Sequence, residues 1–235
     1  MEMTRLGDSA TAPTTRARRI GLAAWIAFVV VAIASLGFIS LIDAGAWALA
    51  TRHAPSLSFI GRYRVASLAA SVVLAMALAD RRAFGLPKKD TPWRLVGRVA
   101  FLWTVGTAIA LLWAKVWTPT VGFRDAADYV AFLGTGLLGE ELIFRGILFG
   151  VASTVLPDAP GSRLGPIVWA SAVLFAGAHV QYHHFRLSPA AAMQVLYTLP
   201  MGLVLAFIRK HTGSIWPGTA VHLVCNVFAV LSGAA

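Results

Sequence analysis

Apolar residues fall in long blocks separated by short polar and basic stretches. The first block, residues 20–42, is uncharged and 23 residues long. A hydrocarbon core of about 30 Å needs about 20 residues of helix, whereas a signal-peptide core spans only about 7–15. The block therefore predicts a membrane helix, with Trp25 and Trp47 near its ends where an aromatic belt sits. Further blocks follow at 65–79, 99–114, 126–153, 163–180, 190–208 and 214–232. The second is short, and Arg62 and Arg64 can snorkel to extend it. Pro87 and Pro92 break the chain between the second and third blocks, and Pro157, Pro160 and Gly161 mark a turn after the fourth. A polar loop at 181–189 separates the fifth from the sixth, and Arg209, Lys210 and Gly213 predict a tight reversal before the last. The pattern predicts an all-α, polytopic membrane helix bundle of about seven spans, within a range of six to eight.

Composition supports that class. Apolar residues make up 58% and charged residues 13% of the 235 residues, and mean hydropathy is +0.73. Soluble domains carry about 25% charged residues. A cytosolic globular protein and a disordered chain are excluded. The single cysteine, Cys225, excludes a disulfide scaffold.

The net charge of +10 comes from 20 Lys and Arg against 10 Asp and Glu. In a soluble protein this would suggest nucleic acid; in a membrane protein it reads as cytoplasmic loops facing anionic lipid. With the N-terminus inside, 13 Lys and Arg fall on the cytoplasmic side and six on the other, setting aside Arg145 within a helix. The expectation is an integral protein of a bacterial cell membrane with a cytoplasmic N-terminus; the excess of Arg over Lys and the abundant alanine point to a GC-rich bacterial genome. No nucleic-acid partner is expected. Residues 1–19 read as a basic cytoplasmic tail, 20–125 as N-terminal membrane helices and 126–235 as a separate helix core.

The candidate chemistry lies in the fourth block. Of the three glutamates, Glu140 and Glu141 are adjacent inside it, with Arg145 close by. Three ionisable groups in the bilayer, simply summed, cost on the order of 8–10 kcal/mol. Glu141 and Arg145 are spaced i,i+4 and can form an ion pair. Glu140 is rotated about 100° away and has no cation on its own helix. A carboxylate so placed can accept a proton near neutrality. Two later blocks carry polar groups at helical spacing: Phe175 with His179, and His222 with Asn226. Together they offer a base, two imidazoles and an amide donor, the parts needed to activate water and stabilise an oxyanion. Counting about 1.5 Å per residue from the flanking polar residues puts Glu140 and His222 about 12 Å deep and His179 about 24 Å deep, an offset of two helical turns. The other polar groups have bland readings: His183 and His184 are solvated, Cys225 packs, and Asp43 lies near an interface. Gly-x-Ser-Gly and Gly-x-Gly-Asp motifs of the serine and aspartyl intramembrane proteases are missing.

Glu140-Glu141-xxx-Arg145, Phe175-xxx-His179 and His222-xxx-Asn226, in that order, resemble the three motifs of the CPBP family of CAAX proteases and bacteriocin-processing enzymes, also called Abi. Type II CAAX prenyl endopeptidases are its eukaryotic relatives. The resemblance covers about residues 126–230. It implies an intramembrane endopeptidase acting on a membrane protein or peptide, with Glu140 and His179 activating water, His222 and Asn226 stabilising the oxyanion, and Glu141 and Arg145 completing the first motif. The family is often labelled metalloprotease. Here no HExxH occurs and Asn226 is a poor zinc ligand, so the favoured reading requires no cofactor. If zinc is bound, Glu140, His179 and His222 supply three ligands. The competing readings are a non-proteolytic scaffold or immunity protein, and a proton-coupled transporter. The intact motifs disfavour the first, and the lack of paired interrupted helices disfavours the second.

Overall fold

The structure is a computed structural model that describes residues 84–114, 129–156, 162–180 and 188–232. The tail, the first two predicted spans and the loop at 181–187 lie outside these residues. Every regular element among the described residues is helical.

Helix α1, Trp93–Ala114, begins directly after Pro92, whose missing N–H costs nothing at a helix start. Helix α2 is one rod over 131–155. Its α-helical turns at Leu137–Glu141 and Phe149–Val155 alternate with wider turns at Ala131–Gly136 and Leu142–Leu148. Such widened turns are rare and concentrate at functional sites. Helix α3, Pro166–Ala178, starts at a proline three residues later than the hydropathy block. Helix α4, Pro189–Thr212, is capped by the Ser188 side chain accepting from the Ala191 N–H. It ends at Gly213, whose φ of 71° is open to glycine at little cost. Helix α5 is Trp216–Ser232.

One boundary departs from the sequence reading. Arg209 and Lys210 were expected in the reversal, but they occupy the last turn of α4. There the helix dipole favours cations, and both side chains have work to do: Lys210 Nζ donates to the Ser162 carbonyl at 2.6 Å, and Arg209 reaches α2.

The apolar surface is arranged for lipid. On α1, Phe101, Val105 and Ile109 follow at i, i+4 and i+8, and all are exposed. Exposed Trp169, Val173, Met193, Leu196, Phe228 and Leu231 extend this character to α3, α4 and α5. A soluble monomer rarely leaves so much apolar surface uncovered. α1 and α4 contain stretches long and apolar enough to cross a membrane, Trp93–Leu111 and Ala191–Thr212, while α3 and α5 are shorter apolar helices.

Packing inside the bundle uses small residues, as lipid-immersed helices must when burial alone gives no driving force. Gly202 on α4 lies against Ala172 on α3 so closely that an added Cβ would sit 2.9 Å from the Ala172 Cα. Around this seam Val168, Ala172, Phe175, Leu205 and Ile208 are fully buried. The segment before α1 is pinned to the α4–α5 turn. Lys88 N–H donates to the Thr212 carbonyl, Ser214 Oγ to the Gly85 carbonyl and Trp216 Nε1 to the Phe84 carbonyl. The Phe84 ring in turn rests against Gly146 of α2, beneath the acidic motif.

Candidate active site

Glu140, Glu141 and Arg145 all lie in the buried middle of α2. The i,i+4 pair forms as the spacing predicts: Arg145 Nη1 donates to Glu141 Oε1 at 3.1 Å. His222 of α5 donates from Nδ1 to the same oxygen at 2.8 Å. Its other ring nitrogen, Nε2, stands 3.8 Å from Glu140 Oε2. One imidazole is thus hinged between the two glutamates, fixed by one and facing the other. Gly218, one turn earlier on α5, lies beside Glu141, and a Cβ there would make ordinary van der Waals contact with Oε2 at 3.7 Å.

The Arg145 guanidinium, fully buried, lies over the Phe175 ring at 4.2 Å from its centroid. Desolvated cation–π contacts of this kind contribute about 2 kcal/mol. The same ring stands edge-on to His179 at 4.6 Å and to His222 at 6.1 Å. Phe175 therefore stands between both imidazoles and the guanidinium. His179 sits at the end of α3, where its Nδ1 donates to the Phe175 carbonyl at 2.7 Å. Each histidine directs Nδ1 at an oxygen, which favours Nδ1–H in the neutral ring. Asn226 follows His222 by one turn on α5 and is half-buried.

Sequence reasoning missed one contributor. In the wide turn of α2 the Phe149 N–H reaches back to the Phe144 carbonyl rather than to that of Arg145. Arg209 Nε donates to the Arg145 carbonyl instead, at 3.0 Å, and its guanidinium covers the Phe149 ring at 5.3 Å. Arg209 looked like a loop cation because it neighbours Lys210 and Gly213. Its place four residues before a helix-ending glycine was the available signal.

The comparisons with known proteins bear on this cluster. Residues 121–228 match the family model described as Rce1-like, type II CAAX prenyl endopeptidase. The match supports a place for this part of the chain in the CAAX-protease family. The matched span contains Glu140, Glu141, Arg145, Phe175, His179, His222 and Asn226, so the family segment and the buried polar cluster coincide. Helix α1 lies outside it. No curated protein and no solved structure matches the chain. Family and apolar helices together make this a membrane protein, and the family is one of proteases acting on protein or peptide substrates at the membrane.

A metal finds no ready donor set. Among the described residues no three His, Cys, Asp or Glu side chains are gathered to hold an ion. Glu140 Oε2 and His222 Nε2 stand 3.8 Å apart, and His222 Nδ1 is held by Glu141. No step below runs through a metal.

Proposed function

We propose that the protein is a membrane-embedded endopeptidase that hydrolyses a peptide bond of a membrane-associated protein or peptide, with Glu140 as the base. The observation that carries this reading is His222, hinged between Glu141 at 2.8 Å and Glu140 at 3.8 Å. A carboxylate behind Nδ1 orients the imidazole, much as the buried aspartate does in serine-protease triads. Glu140 and Glu141 against Arg145 leave one negative charge in a buried cluster, and one proton, exchanged between Glu140 and His222, neutralises it.

Glu140 removes a proton from a water that also donates to His179 Nε2. The water oxygen attacks the scissile carbonyl carbon, forming the C–O bond and placing charge on the carbonyl oxygen. His222 and Asn226 donate to that oxyanion, the position at which preorganised donors contribute most. On collapse the C–N bond breaks, and the proton held by Glu140 passes to the departing amine. Glu141 and Arg145 hold the geometry, and Arg209 holds the turn that carries Arg145.

The test is hydrolysis itself. Purified protein in lipid nanodiscs is given membrane-anchored peptides, with and without a lipidated C-terminal cysteine, in H₂¹⁸O. New termini with ¹⁸O in the new carboxylate are expected. Intact peptides from both sets, with correctly folded protein, would refute the reading.

A further inference from the structure

The strap of residues 84–92, which leads into α1, takes no part in the mechanism above. Its backbone is held firmly. Beyond its three bonds to the α4–α5 turn, Thr91 closes a turn on the Lys88 carbonyl with both its N–H, at 3.1 Å, and its hydroxyl, at 2.6 Å. The Lys88 stem lies across Gly213, where an added Cβ would meet Cε at 2.7 Å. A segment tied down this way pays little further entropy when a partner binds to what it displays.

What it displays is apolar and basic together. Leu86 is 91% exposed, although the backbone around it is fixed. Trp93 and Trp216, the first residues of α1 and α5, are exposed as well, and the Trp216 indole is bonded to the strap at Phe84. Exposed indoles with one bonded end suit a membrane–water interface. Lys88, Lys89, Arg94 and Arg98 are all exposed, and Asp90 is the one acid between residues 84 and 98. Among the described residues no ion pair uses any of these four cations. Arg94 and Arg98 also head an exposed face of α1 that continues, in steps of three or four residues, as Phe101, Val105 and Ile109. Charge gives way to apolar side chains between Arg98 and Phe101, a rise of about 4.5 Å. The hydrocarbon boundary therefore crosses α1 there, which puts the strap and the first turns of α1 at the level of the headgroups.

We propose that the strap and the first two turns of α1 form a binding surface for anionic phospholipid. Lys88, Lys89, Arg94 and Arg98 hold the headgroup phosphates, and Leu86, Trp93 and Trp216 enter the acyl-chain border. A soluble anion would use the cations but gain nothing from three exposed apolar side chains. Each Lys or Arg close to an anionic membrane surface is worth about fivefold in affinity. The surface lies outside the matched span of residues 121–228, and its binding of lipid does not rest on the endopeptidase reading.

The test is native mass spectrometry of the full-length protein, released from uncharged detergent after incubation with equimolar phosphatidylglycerol and phosphatidylcholine. Adducts with phosphatidylglycerol should dominate by at least about fivefold. Lys88→Gln with Lys89→Gln should weaken phosphatidylglycerol binding by about fivefold for each cation lost and leave phosphatidylcholine unchanged. Arg94→Gln with Arg98→Gln, on a different element, should do the same and decides the matter should the strap variant fail to fold. Leu86→Ser should weaken both lipids alike. An excess of glycerol phosphate, the headgroup without its chains, should not displace the lipid. Equal adducts of the two lipids, or wild-type phosphatidylglycerol binding in a folded Lys or Arg variant, would overturn the proposal. So would displacement by glycerol phosphate or unchanged binding in Leu86→Ser, either of which would make this a site for soluble anions. Lipid binding as expected without any proteolysis would leave the surface standing and count against the proposed reaction alone.

Discussion

Replacing Glu141 by alanine removes the acceptor of two buried donors at once, and the structure sets the scale of the loss. The Arg145–Glu141 contact is 3.1 Å long, and both side chains are essentially inaccessible. At that separation and an effective dielectric of about 20, the Coulomb attraction is about 5 kcal/mol. Removing one partner of a buried pair costs about 3–5 kcal/mol, because the survivor is left as an uncompensated charge. Glu141→Ala and Arg145→Ala should each destabilise on that scale. The double variant removes both charges and should fall short of the sum by about 3 kcal/mol, the upper end of measured pair couplings. Recovery stays partial, because His222 Nδ1 still loses its acceptor and Phe175 loses its cation. The assay is unfolding in bicelles by detergent titration, with folded yield by size exclusion as a second readout. Additive losses, or a double variant worse than either single by its full amount, would show that the pair is not what holds these charges in the membrane.

Other expectations follow from the same geometry. Gly202→Ala places a methyl 2.9 Å from the Ala172 Cα and should cost about 1–3 kcal/mol by overpacking the α3–α4 seam, read in the same titration; a neutral result would mean that the helices are not packed this closely. Reporter fusions at residue 10 and near Lys88 should both report cytoplasm, as the charge bias requires, and a periplasmic signal from either would reverse the orientation. Activity should survive dialysis against a strong chelator; its loss together with a stoichiometric metal would move Glu140, His179 and His222 from base, water acceptor and oxyanion donor to ligands.

Much of this was legible in the chain because hydropathy blocks and helical spacing are local properties. The third to seventh blocks reappear as α1 to α5, and the Glu141–Arg145 pair follows from an i,i+4 spacing. What the chain did not reveal depends on how helices meet. Nothing in the sequence places the Phe175 ring against two imidazoles and a guanidinium, since that requires α2, α3 and α5 to be docked. The same holds for His222. Its spacing to Asn226 suggested an oxyanion role, but its bond to Glu141 is a contact across 81 residues. Arg209 was misread because the last turn of α4 and the loop after it share a polar composition. Only the widened turn of α2, which frees the Arg145 carbonyl, explains why a buried cation is wanted there.

The central claim is that Glu140 is the base of an intramembrane hydrolysis. Glu140→Gln keeps the shape and hydrogen bonding of the side chain and removes only the base, so the fold should be unchanged. General-base removal costs about 10²–10⁴ in rate. The decisive measurement compares N-terminal peptides of membrane proteins from cells carrying the wild type with those from cells carrying Glu140→Gln at equal abundance. A set of termini present with the wild type and missing with the variant is the expected result. Identical termini from the two, with the variant folded, would contradict the assignment.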